Sequence, residues 1–130
     1  MERKRISANR PWEAVVGYSR AVRVGDVVEV SGTAPAGADG EILAPGDVAG
    51  QTREALRIIG DALEAAGSSF ADVVRTRVFL TDVSKWEEAG RAHGEVFHDV
   101  RPANTIVGVS GFVDPAILVE IEATAIVSGQ

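Results

Sequence analysis

Glu120 and Glu122 are the residues best suited to chemistry, two carboxylates spaced to leave the same face of one strand. A carboxylate can accept a proton from water while the oxygen attacks an electrophilic carbon, which makes either one a candidate general base. The residues alone do not separate them, and a glutamate on a solvent-facing strand is commonplace. Tyr18 serves equally as the wall of a pocket or as strand packing. Ser31-Gly32 reads as a β-bulge as readily as a binding element. Asn104 suits a turn or a strand start through its own amide, and Thr105 is an ordinary β-branched strand residue.

Other chemistries are poorly supplied. The chain has no cysteine, which removes disulfides, thiolate nucleophiles and cysteine-rich zinc sites. His93 and His98 fall on different faces of a helix, so a shared metal is not expected, and His93 lies on an apolar face where a buried, hydrogen-bonded imidazole is the natural reading. Gly108-Val109-Ser110-Gly111 has the wrong glycine spacing for a nucleophile elbow and lacks acid and histidine partners. No phosphate-binding loop or dinucleotide fingerprint is present, and no cofactor or metal is expected.

The elements that must position these groups fit one domain spanning 1–130, large enough to bury a core. Apolar residues make up 45% and charged residues 25% of the chain, the balance of a globular protein. A net charge of −6 with scattered Lys and Arg argues against nucleic acid as a partner. The basic Met1–Arg5 is followed by no apolar run, and no segment approaches a membrane span, so a cytoplasmic protein without membrane contact is expected.

Ser19 to Val24 and Val27 to Ser31 read as a hairpin through Gly25-Asp26. The breaker-rich stretch from Ala34 to Gly46 reads as a surface loop. Val48, Ala55, Leu56, Ile59, Ala62, Leu63 and Ala66 share one helical face, with Asp47 as N-cap and Gly67 as stop. Val73 to Leu80 is a strand. Ser84 to Glu87 has the spacing of a capping box, opening a helix whose apolar face holds Trp86, Ala89, His93, Val96, Phe97 and Val100, and Arg101-Pro102 ends it. Thr105 to Val109 and Ile117 to Val127 complete an α+β order of β-β-α-β-α-β-β.

In the last strand Ile117, Val119, Ile121, Ala123, Ala125 and Val127 suit a face covered by the two helices. Leu118, Glu120, Glu122, Thr124 and Ile126 form the other face, which nothing in this chain covers. Apolar residues mixed with carboxylates there suit an oligomer interface enclosing a polar pocket, although a solvated face has the same pattern.

Gly17-Tyr18-Ser19, Val30-Ser31-Gly32, Gln51-Thr52, Ala65-Ala66-Gly67, Asp72-Val73-Val74, Val78-Phe79-Leu80-Thr81-Asp82, Arg101-Pro102-Ala103 and Val119-Glu120-Ile121-Glu122-Ala123 occur in the order seen in Rid (YjgF-type) proteins. From about Gly17 to Val127 the chain resembles that family. The resemblance implies a chorismate-mutase-like fold, a mixed sheet with two helices on one face, assembled as a homotrimer around an inner barrel. Small-molecule pockets would lie in the clefts between subunits. Family deaminases hydrolyse reactive enamines and imines such as 2-aminoacrylate to 2-keto acids and ammonia, without cofactor.

By the same resemblance Glu120 positions the attacking water, and Tyr18, Ser31 and Gly32 line the pocket, with the Gly32 N–H available to substrate. Thr105 and Ile106 are further pocket positions; relatives often have cysteine at Ile106 but use its backbone carbonyl. The family's carboxylate-gripping arginine follows Pro-Ala, where this chain has Asn104. An asparagine offers no charge and no guanidinium fork, a loss of about 1.5–3 kcal/mol for such a contact. A substrate other than the usual 2-imino acids is therefore expected, with a non-catalytic small-molecule-binding or protein-protecting trimer as the alternative. Whether Arg10, Arg20 or another cation replaces the missing arginine depends on three-dimensional placement. Some relatives carry a ribonuclease label, which nothing in these residues supports.

Overall fold

The structure is a computed structural model that describes residues 1–128. Its elements are β1 (Arg3–Ile6), α1 (Pro11–Val16), β2 (Ala21–Val24), β3 (Val27–Thr33), α2 (Val48–Ala65), β4 (Val73–Leu80), α3 (Trp86–Phe97), β5 (Ala103–Gly108) and β6 (Val119–Ile126). The strands form one sheet in the order β1-β2-β3-β6-β4-β5. β4 and β5 are parallel, joined through α3 as a crossover, and the remaining neighbours are antiparallel.

Alternation in β6 decides which face is covered. Val119, Ile121, Ala123 and Ala125 are at most 2% exposed and pack with Leu56, Ile59 and Leu63 of α2. Glu120, Glu122 and Thr124 are half-buried on the opposite face, and Ile126 is exposed there. Asp47 caps α2 by accepting the Gly50 N–H at 2.9 Å, and Gly67, at φ +80°, turns the chain out of it in the left-handed conformation that glycine tolerates. Gly25, at φ +61°, turns the β2–β3 hairpin.

From β2 onward the order is the expected β-β-α-β-α-β-β, preceded by β1 and α1, which the sequence pattern does not announce. The capping box is not formed: Ser84 instead gives its hydroxyl and its N–H to Asp82 Oδ1, at 2.6 and 3.0 Å, in a short 3-10 turn that precedes α3. Trp86 is consequently exposed rather than on the packed face, while Ala89 and Phe97 are buried. The stretch after β3 is not wholly a surface loop, since Pro35 and Ala36 are buried and Ala36 bridges Ile42.

Candidate functional site

The local backbone sets Tyr18 in place. Pro11 begins α1, and the helix closes on Gly17 at φ +86°, with the Gly17 and Tyr18 N–H groups both donating to Glu13 O at 2.9 and 3.0 Å. The buried Glu13 carboxylate accepts the Ser7 hydroxyl and the Ala8 N–H, at 2.9 and 3.0 Å, which holds the preceding segment against the turn. Between Val30 and Thr33 the pairing of β3 with β6 shifts, so Ser31-Gly32 is the expected bulge. Ser31 donates its N–H to Arg20 O at 3.0 Å and its hydroxyl to Ser19 O at 2.7 Å, fastening the bulge to the strand start.

Glu120 enters the same space from β6. A Cβ at Gly32 would stand 3.1 Å from Glu120 Oε1, so the bare glycine makes room for the carboxylate. The buried Gln51 of α2 holds the approach to β6: its Nε2 donates to Ala116 O at 2.9 Å and its Oε1 accepts the Leu118 N–H at 2.8 Å. Tyr18, Arg20, Ser31, Gly32 and Glu120 line a cavity of about 390 Å³ whose other walls include Arg10, Trp12, Val16, Ile58 and Val113. That volume is within the usual range for small-molecule sites.

Burial pushes the Glu120 carboxyl above its ordinary pKa, with the nearby Arg20 charge acting in the opposite sense. Glu122 differs: Arg77 Nη1 donates to its Oε1 at 3.1 Å. Arg20 is 7% exposed, donates from Nη1 to Thr33 Oγ1 at 3.1 Å, and lies 5.4 Å from the Tyr18 ring centroid. Its Nε is buried without a hydrogen-bond partner among the described residues, an arrangement that costs about 1–3 kcal/mol. Desolvation draws its pKa down, opposed by Tyr18, Glu13 and Glu120. Arg10 is engaged, donating to Ala8 O at 3.1 Å and to Ala36 O at 3.0 Å.

The other anticipated site residues lie elsewhere in the chain. Asn104, Thr105 and Ile106 belong to β5, separated from β3 by β6 and β4. Asn104 faces the helix side, where its Nδ2 donates to Thr76 Oγ1 at 2.9 Å. The same hydroxyl shares a 2.8 Å hydrogen bond with His93 Nε2, so His93 is the bonded, partly buried imidazole expected from its helix face. Thr105 lies on the uncovered face and accepts Arg75 Nη2 at 2.6 Å, and Ile106 packs against the core. One chain thus brings together Tyr18, Ser31, Gly32 and Glu120, and leaves Asn104, Thr105 and Ile106 apart. Among the described residues no three His, Asp or Glu side chains converge as a metal would require.

Trp12, Val16 and Gln51 are lining or positioning residues that sequence reasoning did not single out for such a role. The six-residue α1 is too short to show a helical period, and Gln51 appeared only as part of a motif whose purpose needs the α2–β6 contact.

Residues 7–127 match the family described as Endoribonuclease L-PSP. The chain is 36% identical over 108 residues to the 3-aminoacrylate deaminase RutC of Acinetobacter baylyi, covering 83% of this chain and 85% of that protein. It is 33% identical over 124 residues to the 2-iminobutanoate/2-iminopropanoate deaminase of Rattus norvegicus, covering 95% and 90%. Its fold superposes, with a TM-score of 0.88 and 46% identity, on the crystal structure of a Mycobacterium tuberculosis member of the highly conserved YjgF/YER057c/UK114 family, covering 97% of this chain and all of that one.

Proposed function

The chain belongs to the Endoribonuclease L-PSP family, that of the YjgF and RutC proteins, and on that premise we propose that it is a cofactor-independent hydrolase, a deaminase of a reactive enamine or imine differing from the usual 2-imino acids. The observation that carries this reading is the half-buried Glu120 carboxylate, which shares a cavity with Tyr18 and Gly32 and has no ion-pair partner among the described residues. In the proposed reaction Glu120 takes a proton from water as its oxygen adds to the imine carbon. That proton passes to nitrogen to give a neutral amino alcohol, whose hydroxyl proton then moves to the nitrogen as the C–N bond breaks, releasing ammonia and leaving a carbonyl.

We place the reaction in clefts between subunits of a cytoplasmic homotrimer, each subunit a single domain. One observation supports the assembly: on the sheet face opposite α2, Leu118, Glu120, Glu122 and the exposed Ile126 mix apolar and acidic side chains. Among the described residues no helix is long and apolar enough to cross a membrane. Static light scattering reads the assembly directly, three chains per particle being expected and a monomer contradicting it.

Asn104 favours one alternative, a non-catalytic small-molecule-binding or protein-protecting trimer. Its side chain is neutral, and its amide donates to Thr76 within the same chain. Ammonia release and thermal stabilisation, followed together with enamines and imines generated in place, separate the two. The hydrolase releases ammonia above the buffer rate, whereas stabilisation without release belongs to the binding module.

A further inference from the structure

Arg20 is a buried cation whose side chain makes a single hydrogen bond among the described residues. Its Nη1 is tied to Thr33 Oγ1, and the Thr33 hydroxyl donates onward to Ser31 O at 2.7 Å, so the guanidinium is held in one orientation. The opposite edge, Nε with Nη2, carries no hydrogen bond among the described residues. Nε has almost no exposed surface, which leaves Nη2 as the free donor for a ligand in the cavity that Arg20 lines.

The neighbouring carboxylates act on it through space without a direct bond. Glu13 is committed to Ser7 and Ala8, and no ion pair joins Arg20 to Glu120, although both line the cavity. Arg10, the second cation in the wall, already gives its donors to the carbonyls of Ala8 and Ala36. Trp12, Val16 and Ile58 make the remaining wall largely apolar. A buried cation with a free Nη2 donor, an apolar wall and a separate carboxylate in one space calls for a ligand with an anionic end and a short apolar body.

We propose that Arg20 is the anion anchor of this cavity and that its ligand is a short-chain monocarboxylate held by a charge-assisted hydrogen bond from Nη2. This deepens the hydrolase reading and rests on it for one point, that the reacting carbon is presented to Glu120. It also gives a physical reason for a different substrate: the carboxylate is held by the residue just before β2, across the sheet from Asn104 of the same chain.

The test is calorimetric binding of butanoate and its neutral amide, butanamide, to the intact protein. The wild type should prefer the carboxylate by about tenfold or more, the worth of a charge-assisted contact. Arg20→Gln should abolish that preference, Arg20→Lys should reduce it, and Glu122→Gln, at the glutamate paired with Arg77, should retain it. Equal affinity for acid and amide, no binding of the acid, or a preference that survives Arg20→Gln overturns the proposal. Should Arg20→Gln fail to fold, Thr33→Val takes its place: it releases Nη1 and should weaken the carboxylate several-fold while leaving the amide unchanged, and an undiminished preference in both Thr33→Val and Arg20→Lys overturns the anchor. A carboxylate preference without turnover of any imine keeps the anchor and removes the hydrolase, and turnover without the preference does the reverse.

Discussion

Arg77 Nη1 stands 3.1 Å from Glu122 Oε1, and this ion pair distinguishes two glutamates that look alike in the sequence. Both leave the uncovered face of β6, but Glu122 is matched by a cation on the neighbouring strand, while Glu120 keeps a desolvated carboxylate with raised proton affinity beside the cavity. A general base gains from that affinity, whereas the Glu122 carboxylate is already engaged by Arg77. Glu122→Gln is therefore expected to lower stability by about 0–1 kcal/mol, as for other partly exposed pairs, and to leave turnover within a few-fold of wild type. Urea denaturation and steady-state kinetics on the same preparation check both, and a collapse of turnover would point to the wrong glutamate.

Gly32 gives a steric test of the same site. An alanine Cβ there meets Glu120 Oε1 at 3.1 Å, and because Gly32 is not in the left-handed region the backbone tolerates the change. Gly32→Ala should fold with a melting temperature close to that of the wild type and lose catalytic efficiency by roughly tenfold or more, since the carboxylate must move by a few tenths of an ångström. Unaltered kinetics would show that the Gly32–Glu120 contact has no bearing on the reaction.

The pH dependence follows from burial. Glu120 has its folded pKa raised above 4.5, so kcat/KM should fall with acid along a limb displaced upward from the ordinary carboxylate value. The stability contribution of this group is fully present below the unfolded pKa and is lost as pH rises through the folded one. Glu120→Gln should therefore be no less stable than wild type at neutral pH and should lack that part of the slope above pH 4.5. His93 acts in the opposite sense: burial holds its pKa below 6.5, and its contribution is present above that value and lost as pH falls through the folded one. Urea midpoints across the acid range, for wild type, Glu120→Gln and His93→Gln, read the two slopes, and unchanged slopes in both variants would refute this assignment.

Asn104 offers a stability test independent of activity. Its amide donates to the Thr76 hydroxyl that His93 also uses, so Asn104→Ala should cost about 0.5–1.5 kcal/mol in denaturant unfolding. Combination with Thr76→Val should be less than additive, because the two changes remove the same bond. Strict additivity would mean the bond contributes nothing.

Much of the fold was legible because its signals are periodic. The apolar stripe from Val48 to Leu63, the Gly25 turn, the bulge at Ser31-Gly32 and the two faces of β6 all appear where residue spacing places them. β1 and α1 were not legible: four and six residues are too few for a period, and the burial of Glu13 comes from turn hydrogen bonds. Ser84 misled because Asp82, two residues earlier, takes its hydroxyl. At the site, Tyr18, Ser31, Gly32 and Glu120 were nameable from the family resemblance, and the structure gathers them. The burial of Arg20 was not nameable, since it depends on Thr33 lying beneath a bulge, and neither was the tie between Asn104 and Thr76, which needs the register of two parallel strands.

The most direct test of the account is ammonia release from a panel of enamines and imines generated in place by an auxiliary amino-acid enzyme, with 2-iminopropanoate and 2-iminobutanoate included. Wild type, Glu120→Ala and Asn104→Arg are compared under identical conditions. The account predicts at least one substrate hydrolysed above the buffer rate by wild type, a loss of about 100-fold or more in Glu120→Ala with the assembly intact, and faster turnover of the two 2-imino acids in Asn104→Arg. A wild type that accelerates no member of the panel, or a Glu120→Ala protein that matches its rate, would contradict it.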